Sequence, residues 1–110
     1  MSFEVSVSPN FSRELKRLAK KYPSIKSDLS ELIKSLVIDP FQGDNLGKDC
    51  YKVRMKITSK GKGKSGGSRV ITCVKIVNRD IRLLSIYDKS DQISISDSFL
   101  IQLLTENGLI

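Results

Sequence analysis

The sequence predicts an α+β fold of order β-α-α-β-β-β-α, with a helical hairpin and a C-terminal helix around a mostly antiparallel sheet. Three observations carry this. Apolar residues recur at helical spacing in two successive segments before residue 40. They alternate, or run continuously with β-branching, in three segments between residues 51 and 87. A third helical stripe follows near the C-terminus. At 110 residues the chain is expected to form one domain over 1–110.

The first strand is the alternation of Phe3, Val5 and Val7. Ser8-Pro9 then reads as an N-cap followed by proline at the first helical position. Phe11, Leu15, Leu18 and Ala19 mark the buried side of that helix, and Tyr22-Pro23 ends it. Ile25, Leu29, Leu32, Ile33 and Leu36 form the stripe of a second helix, stopped at Asp39-Pro40. Phe41 to Asp49 is expected to be a polar connection. Tyr51, Val53, Met55 and Ile57 alternate inward, which presents Lys52, Arg54 and Lys56 together on the opposite face. Ser59 to Gly67 is a Gly/Lys-rich loop. Arg69–Val77 and Ile81–Tyr87 are apolar on both faces, as central strands are, with a tight turn at Asn78-Arg79-Asp80. Ser96 caps a last helix carrying Phe99, Leu100, Leu103 and Leu104, closed by Asn107-Gly108.

Charge is distributed unevenly. The net charge is +7, yet residues 51–75 hold eight cations (Lys52, Arg54, Lys56, Lys60, Lys62, Lys64, Arg69 and Lys75) and no acid. The other 85 residues carry eleven cations against twelve acids. All of the excess lies in one quarter of the chain, a field suited to a polyanion. No apolar run is long enough to span a membrane and no secretory leader is visible, so a cytoplasmic location is expected. Cys50 and Cys73 have no metal-like spacing and read as ordinary thiols.

Histidine is absent, which removes the commonest general acid–base and excludes Ser-His-Asp and Cys-His nucleophile systems. Carboxylates are not clustered as two-metal chemistry requires, so no metal or other cofactor is expected. Gly63-Lys64-Ser65 imitates the end of a phosphate-binding loop, but Thr58 stands where its first glycine belongs and a strand follows, not a helix. Lys, Arg and Tyr remain. They suit RNA cleavage, because RNA brings its own nucleophile in the 2′-hydroxyl. The protein need only move protons and neutralise charge on phosphorus.

The runs Ser59-Lys60-Gly61-Lys62-Gly63-Lys64-Ser65-Gly66-Gly67-Ser68-Arg69-Val70-Ile71 and Leu83-Leu84-Ser85-Ile86-Tyr87-Asp88-Lys89-Ser90 resemble the RelE/ParE toxin superfamily. Within it they are most similar to the RelE-like HigB branch. The likeness is strongest over residues 51–90 and looser over the helices. It implies the toxin of a type II toxin–antitoxin pair: a ribosome-dependent, metal-independent endoribonuclease that cuts mRNA and is silenced by a cognate antitoxin. By position, the resemblance implies a catalytic set of Lys64, Arg69, Tyr87 and Lys89, and an RNA-binding set of Arg54, Lys56, Lys60 and Lys62. A catalytic residue that some RelE proteins carry near the C-terminus finds no match. Two alternatives stay open. ParE members of the superfamily inhibit DNA gyrase without cutting RNA. Three strands followed by a helix also suit a double-stranded-RNA-binding module, which leaves the two leading helices unexplained.

Overall fold

The computed structural model describes residues 3–61 and 63–110. Its elements are β1 (Glu4–Val7), α1 (Pro9–Lys21), α2 (Ile25–Ile38), β2 (Asp44–Gly47), β3 (Cys50–Met55), a 3-10 turn (Thr58–Lys60), β4 (Ser68–Lys75), β5 (Asp80–Asp88) and α3 (Asp97–Glu106). The strands form one sheet in the order β1-β5-β4-β3-β2. β1 runs parallel to β5, and the other three pairings are antiparallel.

One element departs from the expected order. The segment expected to be a polar connection contains β2, paired to β3 through a two-residue turn at Lys48 and Asp49. Both turn residues have left-handed backbones, φ 54° and 65°, as a twist-matched hairpin requires. Neither is the Asn-Gly or Asp-Gly pair that marks such turns, and Asp-Asn-Leu-Gly offers one apolar side chain, so no periodicity betrays the strand. The fourth strand is also shorter than expected. It ends at Lys75, leaving Ile76 and Val77 exposed in the hairpin connection.

Helices cover both faces of the sheet. α1 and α2 pack Phe11, Ile25, Leu29, Leu32 and Leu36 against Val53, Met55, Val70, Val74, Ile81, Leu83 and Ile86. α3 packs Leu100, Leu103 and Leu104 against Cys50, Ile71, Cys73, Leu84 and Tyr87 on the other side. Ser8 caps α1 through Phe11 N–H, and Ser96 caps α3 through Phe99 N–H.

A β-bulge decides which residues face which side. From Lys75↔Asp80 to Thr72↔Leu83 the β4–β5 register is regular, and it then slips by one so that Ile71 faces Ser85 and Arg69 faces Tyr87. Without the slip Ile86 would oppose Arg69, and Tyr87 would point at the α1/α2 core. The edge of β5 beyond β1 is closed by side chains of α1. Ser8 Oγ donates to Leu84 O at 3.0 Å and Asn10 Nδ2 to the same oxygen at 3.1 Å. Glu14 Oε1 accepts from Ile86 N–H at 3.1 Å and from Ser85 Oγ at 2.8 Å. Where the parallel ladder stops, three polar side chains continue it.

Glu14→Ala strands the Ile86 amide and the Ser85 hydroxyl, and should cost about 1–3 kcal/mol. Glu14→Gln, which keeps one accepting oxygen, should cost less. Urea unfolding of the three proteins checks this; an alanine variant as stable as the parent would show that the edge needs no such closure.

Candidate nucleic-acid interface

Arg54, Arg69 and Tyr87 are successive Cα partners across β3, β4 and β5, so they stand side by side on the face opposite α1 and α2. Two arginines directly opposed repel each other, a costly choice for stability alone. Arg54 is exposed, whereas Arg69 and Tyr87 are each only 5% exposed. The Tyr87 hydroxyl is buried without a hydrogen-bond partner among the described residues. Burial pushes the Tyr87 phenol above its ordinary value, against an opposing pull from Arg69. The phenol therefore keeps its proton at neutral pH.

The resemblance implies a catalytic place for Arg69, yet its guanidinium is not free. Nη1 donates to Lys64 O at 3.1 Å and Ser68 O at 3.0 Å, and Nη2 donates to Ser65 O at 3.4 Å. The planar fork of donors organises the carbonyls at the end of the basic loop. Truncating it would disturb that loop as well as remove charge.

The loop itself hangs between two buried carboxylates. Asp28 of α2 accepts from Thr58 N–H at 2.8 Å, from the Thr58 hydroxyl and from Ser24 Oγ at 2.9 Å. Two residues on, Lys60 Nζ donates to Asp88 at 2.7 Å, and Asp88 also accepts from the Tyr22 hydroxyl and from Ser90 N–H at 2.8 Å. Burial raises both carboxyls, but the hydrogen bonds outweigh it. Thr58 and Ser24 lower Asp28, and Lys60, Tyr22 and Ser90 hold Asp88 well below the usual carboxylate range. At the far end of the loop, Gly67 lies so close to β3 that a Cβ would come within 2.4 Å of Met55 O. Gly67 O in turn accepts from Lys89 N–H at 3.0 Å.

The expected site residues thus separate into groups. Lys60, expected to bind RNA, has a side chain 12% exposed and ion-paired with Asp88. Lys62 lies outside the described residues. Arg54, Lys56 and Lys64 line a cleft of about 280 Å³ between β3 and α2, which Asp28 and Glu31 also border. Lys52, Arg54 and Lys64 line the adjoining hollow. Lys89 is exposed on the other side of the loop, in a hollow shared with Lys60 and Ser65. Among the described residues no acid forms an ion pair with Arg54, Lys56, Lys64 or Lys89. Also among them, no group of three or more His, Cys, Asp or Glu could hold a metal ion, and no helix is long and apolar enough to cross a membrane.

Sequence reading missed Asp28, Asp88, Tyr22 and Glu14. One signal was visible: Asp28 falls on the stripe of Ile25, Leu29, Leu32 and Leu36, where an acid must find a buried partner. Asp88 gave no such sign, because its orientation follows from a bulge that periodicity cannot reveal.

In overall fold the chain is similar to the E. coli toxin RelE, solved in the free state as a double arginine-to-alanine mutant. The TM-score is 0.63 at 16% identity, over 96% of this chain and 98% of that chain. No protein-family model matches the chain, and no curated protein matches it by sequence. The likeness is one of fold.

Asp28 and Asp88 titrate lower when folded than when unfolded. They therefore stabilise the fold above the ordinary carboxylate range, and this is lost as pH falls below about 4 toward their folded values. The urea midpoint of the parent should drop across that acid window, and Asp88→Asn should be weaker at pH 7 and flatter below 4. A constant gap between the two proteins at every pH would remove Asp88 from the account.

Proposed function

We propose that this chain is the toxin of a type II toxin–antitoxin pair and acts in the cytoplasm as a HigB-like endoribonuclease on ribosome-held mRNA. The observation that carries the reading is the row Arg54–Arg69–Tyr87, in which a buried phenol without a hydrogen-bond partner among the described residues stands beside an arginine on a face rimmed by Lys56 and Lys64. An orphaned buried hydroxyl costs stability, and such a group is retained where chemistry uses it. The chain's fold is that of a RelE toxin.

The residues divide the work as follows. The RNA 2′-oxygen attacks the adjacent phosphorus and expels the 5′-oxygen, leaving a 2′,3′-cyclic phosphate. Arg54 and Lys56 neutralise the phosphate oxygens, and Arg69 holds the loop that carries Lys64. Lys64 in its neutral amine form takes the 2′-hydroxyl proton and becomes an ammonium, and Tyr87, which keeps its own proton at neutral pH, delivers one to the leaving oxygen. Lys89 holds the strand exit on the far side of the loop. No metal or organic cofactor enters this scheme. The Tyr87 hydroxyl is covered, so its neighbours must shift when RNA binds. The open, shallow basic face leaves orientation of the strand to the ribosome.

The cognate antitoxin silences this face by laying an acidic segment over Arg54, Lys56 and Lys64, or by bulk that blocks access to the ribosome. The gyrase-directed, non-cutting reading draws on one observation, the burial of both Arg69 and Tyr87. It predicts that toxicity survives loss of the phenol oxygen.

The test adds purified protein to translating bacterial ribosomes on a defined message and maps the ends. Tyr87→Phe should lower cutting about 10²- to 10⁴-fold, the usual worth of a positioned acid. Its thermal midpoint should equal or exceed the parent's, since an unsatisfied buried hydroxyl is removed. Undiminished cutting by the folded variant would discard Tyr87, and toxicity without any cutting would favour gyrase. Ribosome affinity should also fall steeply between about 50 and 200 mM salt by counterion release, and a flat response would sink the phosphate-binding role of this face.

A further inference from the structure

Cys50 and Cys73, 23 positions apart in sequence, are Cα partners on β3 and β4. Val74 N–H donates to Asp49 O at 2.8 Å, which puts 49–74 at a hydrogen-bonded step of the ladder and makes the next pair, Cys50–Cys73, a non-hydrogen-bonded one. In such pairs the Cα atoms approach to about 4.5 Å with side chains close together, inside the window of about 4.4–6.8 Å that a disulfide spans. Both thiols are free and both residues are fully buried, beneath Leu100, Leu103 and Leu104 of α3. Cys50 Sγ donates to Lys48 O at 3.4 Å. The neighbouring Cys50 thiol, helped by Lys75, favours the thiolate of Cys73, while interaction with Cys73 and burial push Cys50 up.

From this geometry we propose that Cys50 and Cys73 form a reversible oxidation site, closing an intramolecular disulfide between β3 and β4 when the chain meets a peroxide. The small size of the oxidant matters, because the pair is enclosed and a bulky thiol reagent has no room beside it. The Cys73 thiolate attacks one peroxide oxygen, the O–O bond breaks, and sulfur is oxidised to a sulfenic acid. The hydroxide released takes up the proton that Cys73 had shed, giving water. Cys50 sulfur then attacks Cys73 Sγ, and its thiol proton leaves with the sulfenic hydroxyl as a second water. Two thiols are oxidised to one disulfide and one peroxide is reduced to two waters. α3 is the cover that has to loosen. A polar tie from the sheet to its end runs from Arg82 Nη1 to Asn107 Oδ1 at 3.1 Å, and side-chain packing holds the rest of the helix down. The inference does not rest on the proposed ribonuclease activity.

The experiment treats the folded protein with hydrogen peroxide, removes the excess, unfolds it in alkylating agent and measures the mass. The expected result is a monomer lacking two hydrogens, with neither cysteine alkylated and a Cys50–Cys73 cross-linked peptide on digestion. A reductant should restore two alkylatable thiols. The oxidised parent should also melt higher than the reduced parent, because the cross-link closes the loop between residues 50 and 73. Cys73→Ser should show no such rise. Two thiols fully alkylated after peroxide, or a disulfide between two chains, would overturn the proposal. Comparison of the parent with itself keeps the test valid if the serine variant does not fold.

Discussion

A carboxylate cannot be taken out of water unless something in the fold answers its charge. Asp88, 1% exposed, is answered from three directions: Lys60 in the basic loop, the hydroxyl of Tyr22 at the end of α1, and Ser90 in the turn after β5. Helix, loop and strand end are therefore positioned by one charge. Asp88 occupies that place only because the bulge in β5 turns it toward the helices, which at the same step turns Tyr87 toward Arg69. The bulge in turn relies on Glu14 to accept the Ile86 amide. The basic face and its phenol follow from this chain of dependence, at whose centre Asp88 is closed off from solvent.

The cations of residues 51–75 serve two purposes that net charge does not distinguish. Lys60 is spent on Asp88, Lys75 pairs with Asp49 at 3.0 Å, and Arg69 holds three carbonyls. Lys52, Arg54, Lys56 and Lys64 are the ones gathered at the margin of β3 beside α2. The use of arginine at 69 fits this division. Lysine offers one point charge, whereas guanidinium can span several carbonyls and still keep a positive charge beneath the row.

Much of the architecture was legible because period and capping are local. Ser8-Pro9, the stripes of α1 and α2, and the alternation from Tyr51 to Ile57 each declare an element within a few residues. Lys52, Arg54 and Lys56 do share a face away from the α1/α2 core, as alternation required. What stayed hidden is non-local. β2 is held by backbone pairing and a left-handed turn at Lys48-Asp49, not by side-chain pattern. The basic loop reads as flexible in Gly and Lys, yet it is tied at Thr58, Lys60, Lys64 and Gly67 by groups up to 30 residues away. The pairing of Cys50 with Cys73 likewise depends on register, which spacing along the chain does not disclose.

The parallel pairing of β1 with β5 sets an order of events during synthesis. Val5 lies opposite Ile81, so the first strand to be made waits for a partner 76 residues downstream. At translation speeds of about 5–20 residues per second, that wait is roughly 4 to 15 seconds. Over the last part of that interval Lys60 still lacks Asp88, 28 residues on, and Arg69 lacks Tyr87, because both acceptor strand and phenol come late. A nascent chain still short of β5 is a pair of helices and a basic hairpin with no assembled site. Arrest or truncation before residue 88 should leave cationic fragments without the assembled row of Arg54, Arg69 and Tyr87.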